Sequence, residues 1–131
     1  MAFAEGKWHL VDSDNFDAYM QAVGVGLVTR KMAGALKPSQ EVKVEGDKWE
    51  IKTSSTFKSS ELKFTVGTTF DENTPDGRKC KTTASLDGQK LTLEQKGDVD
   101  STIVRDYNGS DMLMTLTAKD VTCTRKYKKE E

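Results

Sequence analysis

The residues with the clearest chemical meaning are two arginines and a tyrosine in the last third of the chain. Successive side chains of a β-strand point to opposite faces, and the final strand-like segment places Arg125 and Tyr127 on the face that carries its apolar residues. The segment at residues 102–107 likewise puts Arg105 on the same face as Ile103. A planar guanidinium offers forked donors that suit a carboxylate, and it is costly to bury without an anion. This pattern predicts a buried, anion-binding polar site.

The same pattern has a purely structural explanation. Arg105 would pair within the protein with an acid such as Asp106 or Glu94, and Arg125 would extend its guanidinium into water at the rim of the fold. Gln95 also falls in inward register in its own segment, which favours the polar site. Strand phase alone leaves both explanations open.

The other reactive side chains do not form a catalytic or metal-binding pattern. The chain has one histidine, His9, which we expect to be a structural or surface residue. No Gly-x-Ser-x-Gly motif occurs, and no serine or cysteine is placed by a motif beside a base. Cys80 and Cys123 are expected to be free thiols of a reducing compartment. We therefore predict a protein that is not an enzyme and uses neither a metal nor a cofactor.

Charge and composition limit the partners. The 131 residues include 20 basic and 21 acidic side chains, giving a net charge of −1. No broad positive field attracts phosphate backbones, so general nucleic-acid binding is not expected. The sequence shows neither a secretory signal pattern nor an apolar run long enough to span a bilayer. We expect one domain over residues 1–131, cytoplasmic and monomeric.

The elements that must position the arginines are mostly strands. From Ser39 onward apolar and polar residues alternate, and turn signals such as Asp87-Gly88 and Asn108-Gly109 separate the alternating segments. Many short strands with regular turn signals are typical of an antiparallel barrel or sandwich. Closure removes exposed strand edges. The predicted fold is therefore all-β, a ten-stranded antiparallel up-and-down barrel.

Residues 14–37 hold the only helical pattern. Phe16, Tyr19 and Met20 share one helical face, and Gly24 is expected to end that helix. A second apolar stripe follows, formed by Val25, Val28, Met32 and Leu36. The segment predicts a short helix-turn-helix lid on the barrel. A DNA-binding helix-turn-helix is excluded because a long recognition helix and a basic domain are lacking.

A set of short motifs extends over nearly the whole chain. They are Phe3-Ala4-Glu5-Gly6-Lys7-Trp8, Asn15-Phe16-Asp17, Gly24-Val25-Gly26, Thr29-Arg30, Lys37-Pro38, Thr56-Phe57-Lys58, Asp76-Gly77-Arg78 and Cys123-Thr124-Arg125-Lys126-Tyr127. In this order they resemble the intracellular lipid-binding proteins of the fatty-acid-binding protein family, with the heart and myelin types closest. Secreted lipocalins share the Gly-x-Trp element, but they are typically longer, exported and disulfide-bonded.

The resemblance implies a fold and a set of site residues. Members are ten-stranded barrels, capped by two short helices, that hold one or two long-chain fatty acids in a largely water-filled cavity. Arg105, Arg125 and Tyr127 match the carboxylate clamp of the family. Other positions match family residues that line the cavity or its portal: Phe16, Tyr19, Met20, Val25, Thr29, Thr53, Phe57, Lys58, Asp76, Ile103, Met114 and Leu116. Gln95 is added to this set because of its inward register.

The resemblance also implies a function, namely non-covalent binding and intracellular transport or buffering of long-chain fatty acids. A retinoic acid carrier of the same family is the alternative. Transient contact of the lid with anionic membranes is expected through Arg30, Lys31 and Lys37, because each basic residue near such a surface contributes about 1 kcal/mol. By composition alone, these three side chains are ordinary solvated charges.

Overall fold

The structure is a computed structural model that describes residues 3–56, 59–74 and 77–130. It contains two helices, α1 (Phe16–Ala22) and α2 (Leu27–Gly34), between the first and second strands. The ten strands are β1 (Gly6–Asp14), β2 (Ser39–Glu45), β3 (Lys48–Ser54), β4 (Ser59–Thr65), β5 (Thr69–Asn73), β6 (Lys79–Asp87), β7 (Lys90–Lys96), β8 (Ser101–Asn108), β9 (Asp111–Ala118) and β10 (Val121–Lys129).

The strands form one antiparallel sheet in the order β4-β3-β2-β1-β10-β9-β8-β7-β6-β5. The first and last strands pair directly, with Leu10 opposite Tyr127. β4 and β5 stand at the two ends of the order, and the rings of Phe64 and Phe70 stack beside this seam with centroids 5.5 Å apart. The predicted ten-stranded barrel is confirmed, and it is nearly closed.

Helices α1 and α2 form the lid. Asn15 precedes α1 in a left-handed conformation (φ 68°), and its side-chain amide donates to the Thr122 carbonyl at 3.0 Å instead of capping the helix. Gly24, at φ 92°, lies in the turn that follows α1, as the sequence predicts. No helix in the described ranges is long and apolar enough to cross a membrane.

The second apolar stripe of the lid is less buried than the first. Val25 is buried, but no residue of α2 is, and Val28 is 73% exposed. The reason is that α2 covers the mouth of an internal cavity instead of a packed core, so that Met32 and Leu36 border open space.

The packed part of the interior is an aromatic cluster built around Trp8, Trp49 and Tyr107, all at most 2% exposed. The centroids of Trp8 and Tyr107 lie 5.3 Å apart, and Phe3 contacts the rings of Trp49 and Tyr107. Trp8 is six residues before Asp14, the end of β1, which is about 20 Å along an extended strand. The cluster therefore fills the end of the barrel away from the lid.

Candidate functional site

A cavity of about 450 Å³ lies inside the barrel beneath the lid. Its volume falls within the usual range of small-molecule sites, about 300–1,000 Å³. Twelve of the predicted site residues line it: Phe16, Tyr19, Met20, Thr29, Thr53, Gln95, Ile103, Arg105, Met114, Leu116, Arg125 and Tyr127. Eight of them are strand residues, which the alternation of inward and outward side chains directs into the barrel, and the other four lie on the lid helices.

Four predicted site residues do not join this group. Val25, between the two lid helices, is buried but is not one of the residues that line the cavity. Phe57, Lys58 and Asp76 lie outside the described residues.

The arginine pair, Arg105 and Arg125, is positioned by three neighbouring strands. Arg105 of β8 and Arg125 of β10 both lie opposite Met114 of β9, one on each side. Neighbouring strands are about 4.8 Å apart, so the two Cα atoms are about 10 Å apart and both long side chains reach the space between them. Each arginine is 5% exposed, and Tyr127 follows two residues after Arg125 on the same face.

The two guanidiniums have different surroundings. Nη1 of Arg125 donates to Ser13 Oγ at 3.0 Å, and its Cζ lies 3.8 Å from the centroid of the Phe16 ring. In contrast, Nε and Nη1 of Arg105 are buried and find no hydrogen-bond partner within the described part of the chain. Arg105 is therefore a buried cation with N–H groups that lack a hydrogen-bond partner among the described residues. Burial of such a group favours an anion beside it.

The structural explanation for these arginines, internal ion pairing, does not hold for the described residues. Asp106 and Glu94 are exposed on the outer face of the barrel. Among the described side chains, no carboxylate is within ion-pairing distance of either guanidinium. The cavity consequently holds two guanidiniums with no carboxylate paired to them among the described residues, an arrangement that suits an anionic group.

Sequence reasoning missed a buried carboxylate in the same cavity. Glu72 is 7% exposed, and its Oε1 accepts hydrogen bonds from Thr82 Oγ1 at 2.7 Å and Gln95 Nε2 at 3.0 Å. Gln95 Oε1 in turn accepts from Ser101 Oγ at 2.5 Å. Gln95 thus lies inward as predicted, and its side chain bonds to Glu72 and Ser101. The available signal was the inward register of Glu72 with Phe70, two residues earlier.

Burial keeps two further groups near the arginine pair protonated. It raises the pKa of the Tyr107 hydroxyl to about 12, an effect that the Arg105 charge partly opposes. Burial likewise raises the pKa of the Cys123 thiol to about 11, with Arg125 acting in the opposite direction. A thiol with so high a pKa is a poor nucleophile, because the thiolate is the reactive form. Cys123 is therefore not expected to act as a nucleophile in the folded protein.

Comparisons with known proteins give matches over nearly the whole chain. A family model described as the lipocalin / cytosolic fatty-acid binding protein family matches residues 5–130. Sodium/calcium exchanger regulatory protein 1 of Doryteuthis pealeii is 54% identical over 124 residues, covering 95% of this chain and 94% of the relative.

Two solved structures share the architecture. One, described as the REP1-NXSQ fatty acid transporter, has 52% sequence identity and a TM-score of 0.96, and the match covers 100% of this chain and 98% of that chain. The other is a Schistosoma mansoni fatty acid binding protein in complex with arachidonic acid, with 38% identity, a TM-score of 0.96 and the same coverage, 100% and 98%.

Proposed function

The chain belongs to the lipocalin and cytosolic fatty-acid-binding protein family, and from that premise we propose that it binds long-chain fatty acids and carries or buffers them in the cytoplasm. The observation that carries this proposal is the arginine pair. Two arginines, each 5% exposed, face one cavity, and no described carboxylate lies within ion-pairing distance of either. A long-chain acid supplies the missing anion and an apolar tail for the rest of the cavity.

In the proposed complex, Arg105, Arg125 and Tyr127 bind the ligand carboxylate. Hydrogen bonds between a guanidinium and a carboxylate are charge-assisted and roughly twice as strong as neutral ones. Arg105 has buried N–H groups available for such bonds, whereas the Tyr127 hydroxyl is a neutral donor on the same wall. Neutralising a buried cation also removes part of its dehydration cost.

The tail would lie along the apolar part of the wall, which includes Phe16, Met20, Ile103 and Leu116. Each buried CH₂ contributes about 0.8 kcal/mol. Immobilising the ligand and ordering the wall oppose this gain by several kcal/mol. A tail of many methylenes leaves a net favourable term, so binding needs no chemical step.

A carrier fits the reactive groups better than an enzyme does. His9, the sole histidine, lies with its Nδ1 3.7 Å from Glu130 Oε1 and is not among the residues that line the cavity. The Cys123 thiol has a pKa of about 11. Within the described residues, the cavity therefore pairs no nucleophile with a histidine base, and we expect the protein to release its ligand unchanged. We also expect the protein to be a monomer.

The lid is the proposed contact with anionic membranes. Leu27 and Val28 are 56% and 73% exposed, and Lys31 is exposed on the same short helix. Arg30 contributes less than the sequence suggests, because its guanidinium donates to Asp17 and to the Val25 carbonyl. The membrane-facing charges are then Lys31 and Lys37.

Displacement of a fluorescent fatty-acid analogue tests the function. Oleate should displace the analogue from the folded protein, and oleyl alcohol of equal length should do so less well because it carries no charge. Retinoic acid in a parallel titration tests the alternative carrier function. Failure of every long-chain acid to displace the analogue, with folding verified by circular dichroism, would refute the proposal. Tighter binding of retinoic acid than of oleate would favour the retinoid carrier.

A further inference from the structure

The Glu72 cluster is a second polar site within the lipid cavity. It consists of Glu72, Thr82, Gln95 and Ser101, each at most 7% exposed. Thr82 and Gln95 both donate to the same carboxylate oxygen, and Ser101 fixes Gln95 from the other side. Glu72 and Gln95 line the cavity. The result is a carboxylate held in one orientation at the wall of a lipid site.

Strand register separates this cluster from the arginine pair. Ser101 lies opposite Gln95, and Gln95 opposite Thr82. With Glu72 on β5, the cluster crosses four neighbouring strands, β5 to β8. Arg105 lies four residues beyond Ser101 on the same face of β8, which is about 13 Å along the strand. Ile103 occupies the interval and also lines the cavity. An acid whose carboxylate binds the arginine pair therefore passes the Glu72 cluster with the middle of its tail.

Contact between a plain alkyl tail and this cluster is unfavourable. It offers no hydrogen-bond donor, and it displaces the water that would otherwise solvate the carboxylate, which is unfavourable for a buried charge. A carboxylate has about four acceptor positions. The described side chains provide two donors, both to Oε1 of Glu72, so acceptor positions remain for a ligand.

We propose that the Glu72 cluster selects long-chain fatty acids that carry a hydroxyl in the middle of the tail. The ligand hydroxyl would donate to the Glu72 carboxylate while the ligand carboxylate occupies the arginine pair. This inference rests on the proposed function, because the position of the hydroxyl follows from binding of the headgroup at Arg105 and Arg125.

Calorimetric titration with oleate and ricinoleate tests the inference, because these acids differ only by one mid-chain hydroxyl. A hydrogen bond to a charged group makes ricinoleate bind on the order of tenfold more tightly. α-Hydroxyoleate, whose hydroxyl adjoins the carboxylate, should show no comparable gain. If oleate binds and ricinoleate binds equally or more weakly, this inference is wrong and the proposed function still stands. Absence of oleate binding would instead refute the proposed function.

Variants locate the effect. Glu72→Leu should abolish the preference for ricinoleate and strengthen oleate binding, because the buried charge is gone. Gln40→Leu is the matched control, since Gln40 is another cavity-lining polar residue, 2% exposed, on β2; it should keep the preference. Glu72→Gln preserves shape and an acceptor for Thr82, and it should reduce the preference to that of a neutral hydrogen bond. A preference that survives both substitutions at Glu72 would show that the hydroxyl binds elsewhere.

Discussion

Replacing the arginines one at a time should separate ligand binding from stability. Either Arg105→Gln or Arg125→Gln removes one partner of the proposed charge pair with the ligand carboxylate. Truncating one partner of a buried, hydrogen-bonded charge pair costs about 2–5 kcal/mol. Oleate affinity should therefore fall by about thirtyfold or more in each variant. Oleyl alcohol, which brings no charge, should bind both variants nearly as well as the unmodified protein.

The stability of the ligand-free protein should respond differently at the two positions. Arg105 has buried N–H groups with no described partner, so Arg105→Gln relieves an uncompensated dehydration cost and leaves the free energy of unfolding unchanged or higher. Arg125 is stacked on Phe16 and bonded to Ser13. Loss of the stacking alone costs about 2 kcal/mol in a dehydrated setting. Arg125→Gln should therefore be the less stable variant by roughly that amount.

Two measurements check this reasoning, calorimetric titration with oleate and oleyl alcohol and urea melts without ligand. Tyr127→Phe serves as the uncharged comparison and should weaken oleate binding by about 1 kcal/mol. The reasoning would be refuted if Arg105→Gln strongly destabilised the empty barrel and weakened acid and alcohol binding equally. That outcome would make Arg105 a structural residue.

Three further results are expected. Replacing Lys31 and Lys37 with Glu should slow ligand transfer to anionic vesicles, mainly at low salt, and leave the equilibrium affinity unchanged. A stopped-flow transfer rate that does not depend on vesicle charge would indicate that the ligand transfers by diffusion through water. Because burial raises the pKa of Tyr107 from 10.0 to about 12, the associated stability is complete below pH 10 and is lost as pH rises toward 12. Urea melts of Tyr107→Phe should show a shallower decline there, and an identical decline would exclude this residue as the cause. Cys123 has a pKa of about 11 and no exposed surface. In a Cys80→Ser background it should therefore react with a thiol reagent at neutral pH only after unfolding. Rapid reaction of the folded protein would show that the structure around Cys123 opens.

The period-two pattern predicted the barrel and the inward arginines because strand phase is a local property. Arg105 and Arg125 each share a face with apolar neighbours, and three paired strands suffice to bring them together. Their hydrogen bonds were not predictable. The contacts of Arg125 with Ser13 and Phe16 join residues more than one hundred positions apart in the chain, and no local pattern encodes them.

Glu72 shows a second limit of sequence reasoning. Its strand, Thr69–Asn73, has a single apolar residue, Phe70, so the alternation that marks an inner face is nearly absent. The helix boundary at Asn15 shows a third limit, because its amide bonds to Thr122 on the last strand and not to the helix that it precedes. In both cases a polar partner lies on another strand, Thr82 and Gln95 for Glu72 and Thr122 for Asn15.

The aromatic cluster divides the interior of the barrel into two regions with different mutational tolerance. Trp49 is 2% exposed among other rings, and replacing it with Ala would leave a void that costs about 3–5 kcal/mol. Ile103 borders the cavity, so truncating it enlarges a space that already exists and loses fewer packing contacts. One end of the barrel thus maintains the fold, while truncation of apolar lining residues at the other end should cost less stability.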